Sequence, residues 1–253
     1  MINYIILQLA EWAGVVAVTM ILALSPAFKR RPLVFKYPQR EGTVAVSLAV
    51  LVGAALWLVY SLMPQAPANG TGTAFVFTMN DLVRQAGIAV ILAAPTVVAL
   101  LIRRQPLLSV GLNQKVMRPA LYMGFSLAVI TIFLRNKIYA IIYGGIIPAH
   151  LYFLVAVLLI AFAEEFIFRG YIQPRISAWI GETWGWVASA ALYAVCCLPQ
   201  SVAIKGAIDW PALGLQLAIL FGSGLVLGRI MRKSGNILAP WLYHAVAVWV
   251  TVL

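Results

Sequence analysis

Two adjacent carboxylates and an arginine stand inside an apolar run, AFAEEFIFRG from Ala161 to Gly170, as Glu164, Glu165 and Arg169. A charge at the centre of a bilayer helix costs about 2.5–3.5 kcal/mol on insertion scales, so such groups are there to pair or to do chemistry. Helix geometry divides the three. Glu165 and Arg169 are four apart with the glutamate first, the favourable order for an intrahelical ion pair. Glu164 is turned about 100° from Glu165, which leaves it free to face a cavity and act as a general base on water. The same residues also read as an ion-paired helix end near the interface. Two side chains elsewhere have suitable chemistry: Cys197 in a second apolar run, and His244 in WLYHAV. Taken alone, a histidine in an apolar span reads as a packing residue with one hydrogen bond. A nucleophilic Cys197 with His244 as base is disfavoured, because an apolar setting suppresses the thiolate.

These residues need helices to hold them. The chain has 253 residues, 63% hydrophobic and 10% charged, whereas a soluble domain carries roughly 25% charged residues. With a mean hydropathy of +0.97, it reads as an integral membrane protein, all-α and polytopic, filled by one membrane domain. The net charge of +11 would suggest nucleic acid in a soluble protein. Here the basic residues fall in short loops, where they orient the chain and meet anionic lipid. Membrane lipids are therefore expected partners and nucleic acid is not. Adjacent Cys196 and Cys197 point about 100° apart on a helix, so no disulfide joins them. The first apolar run is too long, and lacks the basic start, for a cleaved signal peptide, and is read as a retained span.

A span needs about 20 apolar residues. About eight segments qualify or come near: Ile5–Phe28, Val44–Met63, Leu82–Ile102, Pro119–Leu134, Ala149–Tyr171, Trp186–Leu198, Pro211–Ile230 and Ile237–Leu253. Pro95 is a kink candidate in the third, and Pro199 closes the sixth. Ile138–Pro148 reads as an interfacial or re-entrant piece, and Gly181–Trp186 as a turn with interfacial tryptophans. Placing the loop that holds Lys29, Arg30, Arg31, Lys36 and Arg40 in the cytoplasm leaves only Arg84, Arg135, Lys137 and Lys205, of 18 basic residues, on the other side. The positive-inside rule then puts both termini outside. Gly224 and Gly228 form a small-xxx-small pair for close helix packing. Glu11 is read as a structural carboxylate with Arg84 as a candidate partner, and His150 lies at the far end of the fifth span from Glu164.

The expected depths converge. Measured from the span ends, Glu164 lies roughly 22 Å along its helix, Cys197 roughly 16 Å and His244 roughly 10 Å, the last two entering from the cytoplasmic side. Three helices can thus present Glu164, Cys197 and His244 to one cavity in the cytoplasmic third of the bilayer.

The quoted residues resemble the CPBP family: CAAX prenyl endopeptidases and bacteriocin-processing or immunity proteins, also called the Abi or lysostaphin-resistance group. The resemblance is carried by Glu164-Glu165-x-x-x-Arg169, by Tyr193-x-x-x-Cys197-Leu-Pro, and by Gly235-Asn-Ile-Leu-Ala-Pro-Trp-Leu-Tyr-His244. It covers Ala149 to Leu253, and SVGLNQ (Ser109 to Gln114) resembles a short segment that precedes the family's domain. It implies a CPBP-like core at 149–253, preceded by four spans in 1–148. It also implies an intramembrane endopeptidase in which Glu164 activates water, Glu165 and Arg169 shape the site, and His244 joins them. The substrate implied is a peptide or protein, prenylated or lipid-associated, in a bacterial or archaeal cell membrane. Two positions depart from the pattern: Cys197 stands where the family has a histidine, and Val248 where it has an asparagine. On a metal-assisted view, zinc would meet Cys197, Glu164 and His244 as an improvised ligand set. The departures leave a second reading, a weakened or inactive member acting as a membrane binding or immunity scaffold.

Overall fold

Apolar runs of this length satisfy their backbone internally in lipid, and helices do so one segment at a time. The computed structural model describes residues 2–28, 33–62, 75–205 and 210–253, without side chains at 2–4 and 200–205. The described helices are α1 Ile2–Leu22, α2 Pro38–Leu62, α3 Met79–Ile102, α4 Met117–Leu134, α5 Pro148–Glu165, α6 Gln173–Ile180, α7 Glu182–Lys205, α8 Trp210–Ser234 and α9 Leu238–Trp249. No strand occurs among the described residues. Lys29, Arg30, Arg31 and the side chain of Lys205, all used above, lie outside the described residues.

The chain is an integral membrane protein with six described helical stretches long and apolar enough to cross a bilayer: Ile5–Leu22, Pro38–Leu62, Met79–Ile102, Gln114–Leu134, Pro148–Ile180 and Trp210–Ser234. The two other segments expected to span differ in kind. α9 has only 12 residues, and α7 opens on the polar and aromatic stretch Glu182, Thr183, Trp184, Gly185 and Trp186.

Two boundaries differ from expectation, and one expected interfacial stretch gains detail. The fifth span continues beyond Tyr171, because a π-helical turn at Phe166–Ile172 joins α5 to α6 in one rod of 33 residues. α7 runs through Pro199 to Lys205, as membrane helices permit where neighbouring groups satisfy the freed carbonyl. Ile138–Pro148 contains a short π turn at Ala140–Gly144 with no buried residue.

The rod lies at the centre of the packing. α5 packs on α3 and α9, while α6 packs on α2 and α7. Around it the apolar core includes Ala49, Val52, Leu92, Phe166, Ile167, Phe168, Tyr193 and Cys197. A second cluster joins α1, α4, α8 and α9 through Val15, Met123, Leu127, Leu227 and Tyr243.

Small residues set the closest approaches. A Cβ on Gly224 would sit 3.0 Å from Ala190, and one on Gly228 would sit 2.6 Å from Trp186. The small-xxx-small pair therefore faces α7, as its spacing suggested. A Cβ on Gly170 would sit 2.6 Å from the carbonyl oxygen of Val110. The SVGLNQ segment is wedged there: the carbonyl of Gly111 accepts from Ile237 N at 3.1 Å, and that of Asn113 accepts from Asn236 Nδ2 at 2.9 Å. A stretch far upstream in sequence thus fixes both the π turn and the start of α9.

Two buried ionic knots tie helix ends together. Glu41, at the start of α2, accepts from Arg103, Gln105 and Arg175. Glu11 is fully buried and pairs with Arg135 at 2.6 Å, while Tyr243 Oη donates to its other oxygen at 3.0 Å. This corrects the expected Glu11–Arg84 pair. α1 packs on α4 and α8, and Arg84 turns to Asp81 one turn back on its own helix at 3.0 Å.

Candidate active site

The central rod brings both carboxylates inside: Glu165 is fully buried and Glu164 nearly so. Their 100° separation sends them to different partners, but both meet the same histidine. His244 Nδ1 lies 2.9 Å from Glu165 Oε1, and Nε2 lies 3.8 Å from Glu164 Oε2. Glu165 also meets Arg169 at 3.2 Å, the expected i,i+4 pair. Glu165 therefore has a second role that helix spacing alone does not reveal: it orients His244 as well as neutralising Arg169.

α9 delivers the histidine. Gly235, at φ +66, turns the chain out of α8. Asn236 Oδ1 then accepts from Leu238 N at 3.0 Å and stabilises the first turn. Trp241 Nε1 donates to the carbonyl of Leu158 at 2.8 Å, locking α9 against α5 one turn before His244.

α7 closes the other side. Tyr193 Oη lies 3.3 Å from Glu164 Oε2 and 3.5 Å from His244 Nε2. The Arg169 guanidinium sits 4.0 Å over the Tyr193 ring, a cation–π contact in a dry setting. The sequence marks Tyr193 as the aromatic member of its motif, and the structure adds its hydroxyl to the site. The available signal was its position one turn before Cys197, which puts both on one face of α7.

Cys197 is buried beside Tyr193 in the core. It makes no hydrogen bond or ion pair with Glu164 or His244 among the described residues. Cys196 instead turns its sulfur to the carbonyl of Ala49 on α2 at 3.4 Å. Val248 lies one turn beyond His244 and is 36% exposed. His150 stacks on Phe75 at the other end of the rod, away from the carboxylates as expected.

Residues 146–250 match the family model described as Type II CAAX prenyl endopeptidase Rce1-like. Over this segment the chain is similar to the CAAX-protease family. Its matched length takes in Glu164, Glu165, Arg169, Tyr193, Cys197 and His244. Comparison with curated proteins and with solved structures gives no match.

The donor set of this CAAX-protease-like segment does not suit a metal. Among the described residues, no three His, Cys, Asp or Glu side chains are grouped to hold one ion. Glu165 is shared by Arg169 and His244 Nδ1, and Cys197 is not grouped with them. A structural or catalytic zinc takes at least three protein ligands. What the residues can do is proton chemistry: a buried carboxylate, an imidazole whose far nitrogen is engaged, and a phenol meet around one small volume.

Proposed function

We propose that this chain is an intramembrane endopeptidase in which Glu164 activates water against a peptide bond. The observation that carries the reading is the convergence of Glu164 Oε2, His244 Nε2 and Tyr193 Oη within 3.8 Å of one another. With Nδ1–H donated to Glu165, a neutral His244 presents Nε2 as an acceptor. A water placed between Nε2 and Glu164 is then held by two acceptors, with a lone pair free for attack.

Glu164 takes one proton as the water oxygen bonds to the peptide carbonyl carbon. The tetrahedral intermediate collapses when the C–N bond breaks, and the proton on Glu164 passes to the leaving nitrogen. One peptide and one water become a carboxylic acid and an amine. Tyr193 Oη is the side-chain donor nearest the point of attack, and we assign it to the developing oxyanion, where the family's asparagine is replaced by Val248. Cys197 takes no step. The expected substrate is a membrane-embedded or lipid-associated peptide, cut near the cytoplasmic face with both termini outside.

The test is cleavage of a panel of lipidated and unmodified membrane peptides by the purified chain and by Glu164→Ala. Cleavage that falls by about 100-fold or more in the variant supports the reading, on the scale of a lost general base. A second reading has its own observation. Val248 is apolar and Cys197 makes no polar contact with Glu164 or His244, which suits a scaffold that binds a membrane partner without cutting it. No cleavage of any peptide, or equal cleavage by both chains, favours the scaffold.

A further inference from the structure

Among the described residues, five buried side-chain nitrogen and oxygen atoms lack a hydrogen-bond partner in the protein: Thr96 Oγ1, Glu165 Oε2, Arg169 Nη1, Arg169 Nη2 and Gln173 Oε1. Four of them belong to Glu165, Arg169 and Gln173, with Arg169 Nη1 keeping only its ion pair to Glu165 Oε1 at 3.2 Å; the three residues follow one another at four-residue spacing from the end of α5, through the π turn, to the start of α6. Native proteins satisfy nearly all such atoms, so a run of orphans calls for an occupant. The row does not end blind. Arg169 and Gln173 line a cavity of about 430 Å³, together with Ala178, Met231, Glu182 and Arg232. The opposite end of the row is Glu165, which holds His244 at 2.9 Å.

The mixture of orphans identifies the occupant. An anion would suit the Arg169 nitrogens but would be repelled by Glu165 Oε2 and Gln173 Oε1. A cation fails for the opposite reason. Water donates and accepts, and a buried water typically makes about three hydrogen bonds to groups of this kind. The cavity has ample room, since one water occupies about 30 Å³ of the liquid. The fold keeps Gln173 in place for the purpose. Its Nε2 donates to the carbonyl of Gly228 at 3.2 Å, and a Cβ on Gly228 would crowd Gln173 Oε1 at 2.9 Å.

We propose that Glu165, Arg169 and Gln173 form a hydrated seam that carries water from the cavity beside α6 and α8 to the buried Glu164–His244 pair. Its use as the supply for hydrolysis rests on the endopeptidase reading above; its hydration does not. Gln173 is thus a positioning residue for water, acting through Arg169 and Glu165.

The experiment is hydroxyl-radical footprinting of the full chain in lipid nanodiscs, read by mass spectrometry. Met231, 4% exposed at the cavity, and Tyr193, 3% exposed beyond the seam, report hydration at the two ends. Both are expected to be oxidised well above other side chains of equal burial. Gln173→Leu should lower oxidation of Tyr193 several-fold and leave Met231 unchanged. Ala178→Trp, which narrows the cavity, should lower both, and Trp184, 69% exposed, serves as the unaffected control. An unoxidised Tyr193 in the native chain, or equal oxidation of Tyr193 in native and Gln173→Leu protein, overturns the seam. If Gln173→Leu does not fold, Ala178→Trp carries the comparison with the same two outcomes. Peptide cleavage by native and Glu164→Ala protein, measured in the same nanodiscs, separates the two ideas. An intact footprint without Glu164-dependent cleavage sinks the endopeptidase reading alone. Glu164-dependent cleavage with a dry Tyr193 sinks the seam alone.

Discussion

His244 Nδ1 lies 2.9 Å from Glu165 Oε1. The contact joins α9 to the central rod and fixes which ring nitrogen faces Glu164. It also gives the second glutamate a task beyond its pairing with Arg169. Replacing Glu165 by Gln keeps the size but removes the charge that selects the Nδ1–H tautomer. Glu165→Gln is expected to lower kcat by about 100- to 10,000-fold, the range of a general acid–base partner, with a smaller change in KM. Steady-state kinetics checks this, with helical content by circular dichroism as the control for folding. An unchanged kcat would remove Glu165 from the chemistry.

Tyr193 offers a sharper substitution because its ring and hydroxyl do different things. The ring lies under the Arg169 guanidinium and packs edge-on against Phe168 at 5.2 Å. The hydroxyl reaches Glu164 and His244. Tyr193→Phe should therefore leave thermal stability within about 1 kcal/mol, the net worth of one hydrogen bond, and lower kcat about 100-fold, the scale of one lost oxyanion donor. Equal kcat values would reassign the oxyanion to another group.

Much of this arrangement could be read from residue types and spacing. Glu164, Glu165 and Arg169 fall on a helix with the i,i+4 pair intact, and the span depths place His244 at their level. Helix faces and depth follow from chain geometry, which is local. The partners across helices do not. Glu11 was legible as a buried structural carboxylate, but its partner depends on which helix lies beside α1, and that contact joins residues far apart in sequence. Its true partner, Arg135, sits at the end of α4. The π turn at Phe166–Ile172 was also hidden, because an apolar run has the same composition in α and π form. That turn carries the rod on into α6, so the seam through Gln173 had no sequence signal beyond four-residue spacing. Span depth puts Cys197 near the level of Glu164, but the helix wheel does not fix the reach of so short a side chain, and Cys197 makes no hydrogen bond or ion pair with Glu164 or His244 among the described residues.

Cys197 and Tyr193 share a face of α7, and His244 and Val248 share a face of α9. The double variant Cys197→His with Val248→Asn restores the family's side chains on those faces. It should raise kcat over the native chain by about 10-fold or more if the site is a working protease that lacks part of its polar set, since one well-placed donor is worth about 100- to 1000-fold. Peptide cleavage at saturating substrate is the measurement. No gain, with the variant folded, would support the scaffold reading.

The knot at Glu11 makes a prediction about stability, separate from chemistry. Glu11 is fully buried and held by Arg135 and Tyr243. Glu11→Ala leaves the guanidinium without its carboxylate and should destabilise the fold by about 3–5 kcal/mol. Glu11→Leu combined with Arg135→Met removes both charges and should recover most of that loss. Thermal unfolding in detergent compares the two. A double variant no more stable than Glu11→Ala would mean the knot has some role other than charge compensation.

Gly170 tests whether the upstream SVGLNQ segment positions the site. A Cβ there would sit 2.6 Å from the Val110 carbonyl oxygen, and backbone yields less readily than a side-chain tip. Relief needs a shift of either the π turn or the segment that also receives Ile237 N at the start of α9. Gly170→Ala is therefore expected to destabilise by about 1–3 kcal/mol, as overpacking does, and to lower kcat as well, because Arg169 precedes it and His244 follows from the α9 start. Its control is Gly87→Ala on α3, where a Cβ meets nothing within 4 Å. That variant should match the native chain in both stability and kcat. A Gly170→Ala protein that loses stability but keeps full kcat would show that the wedge holds the fold without tuning the carboxylates.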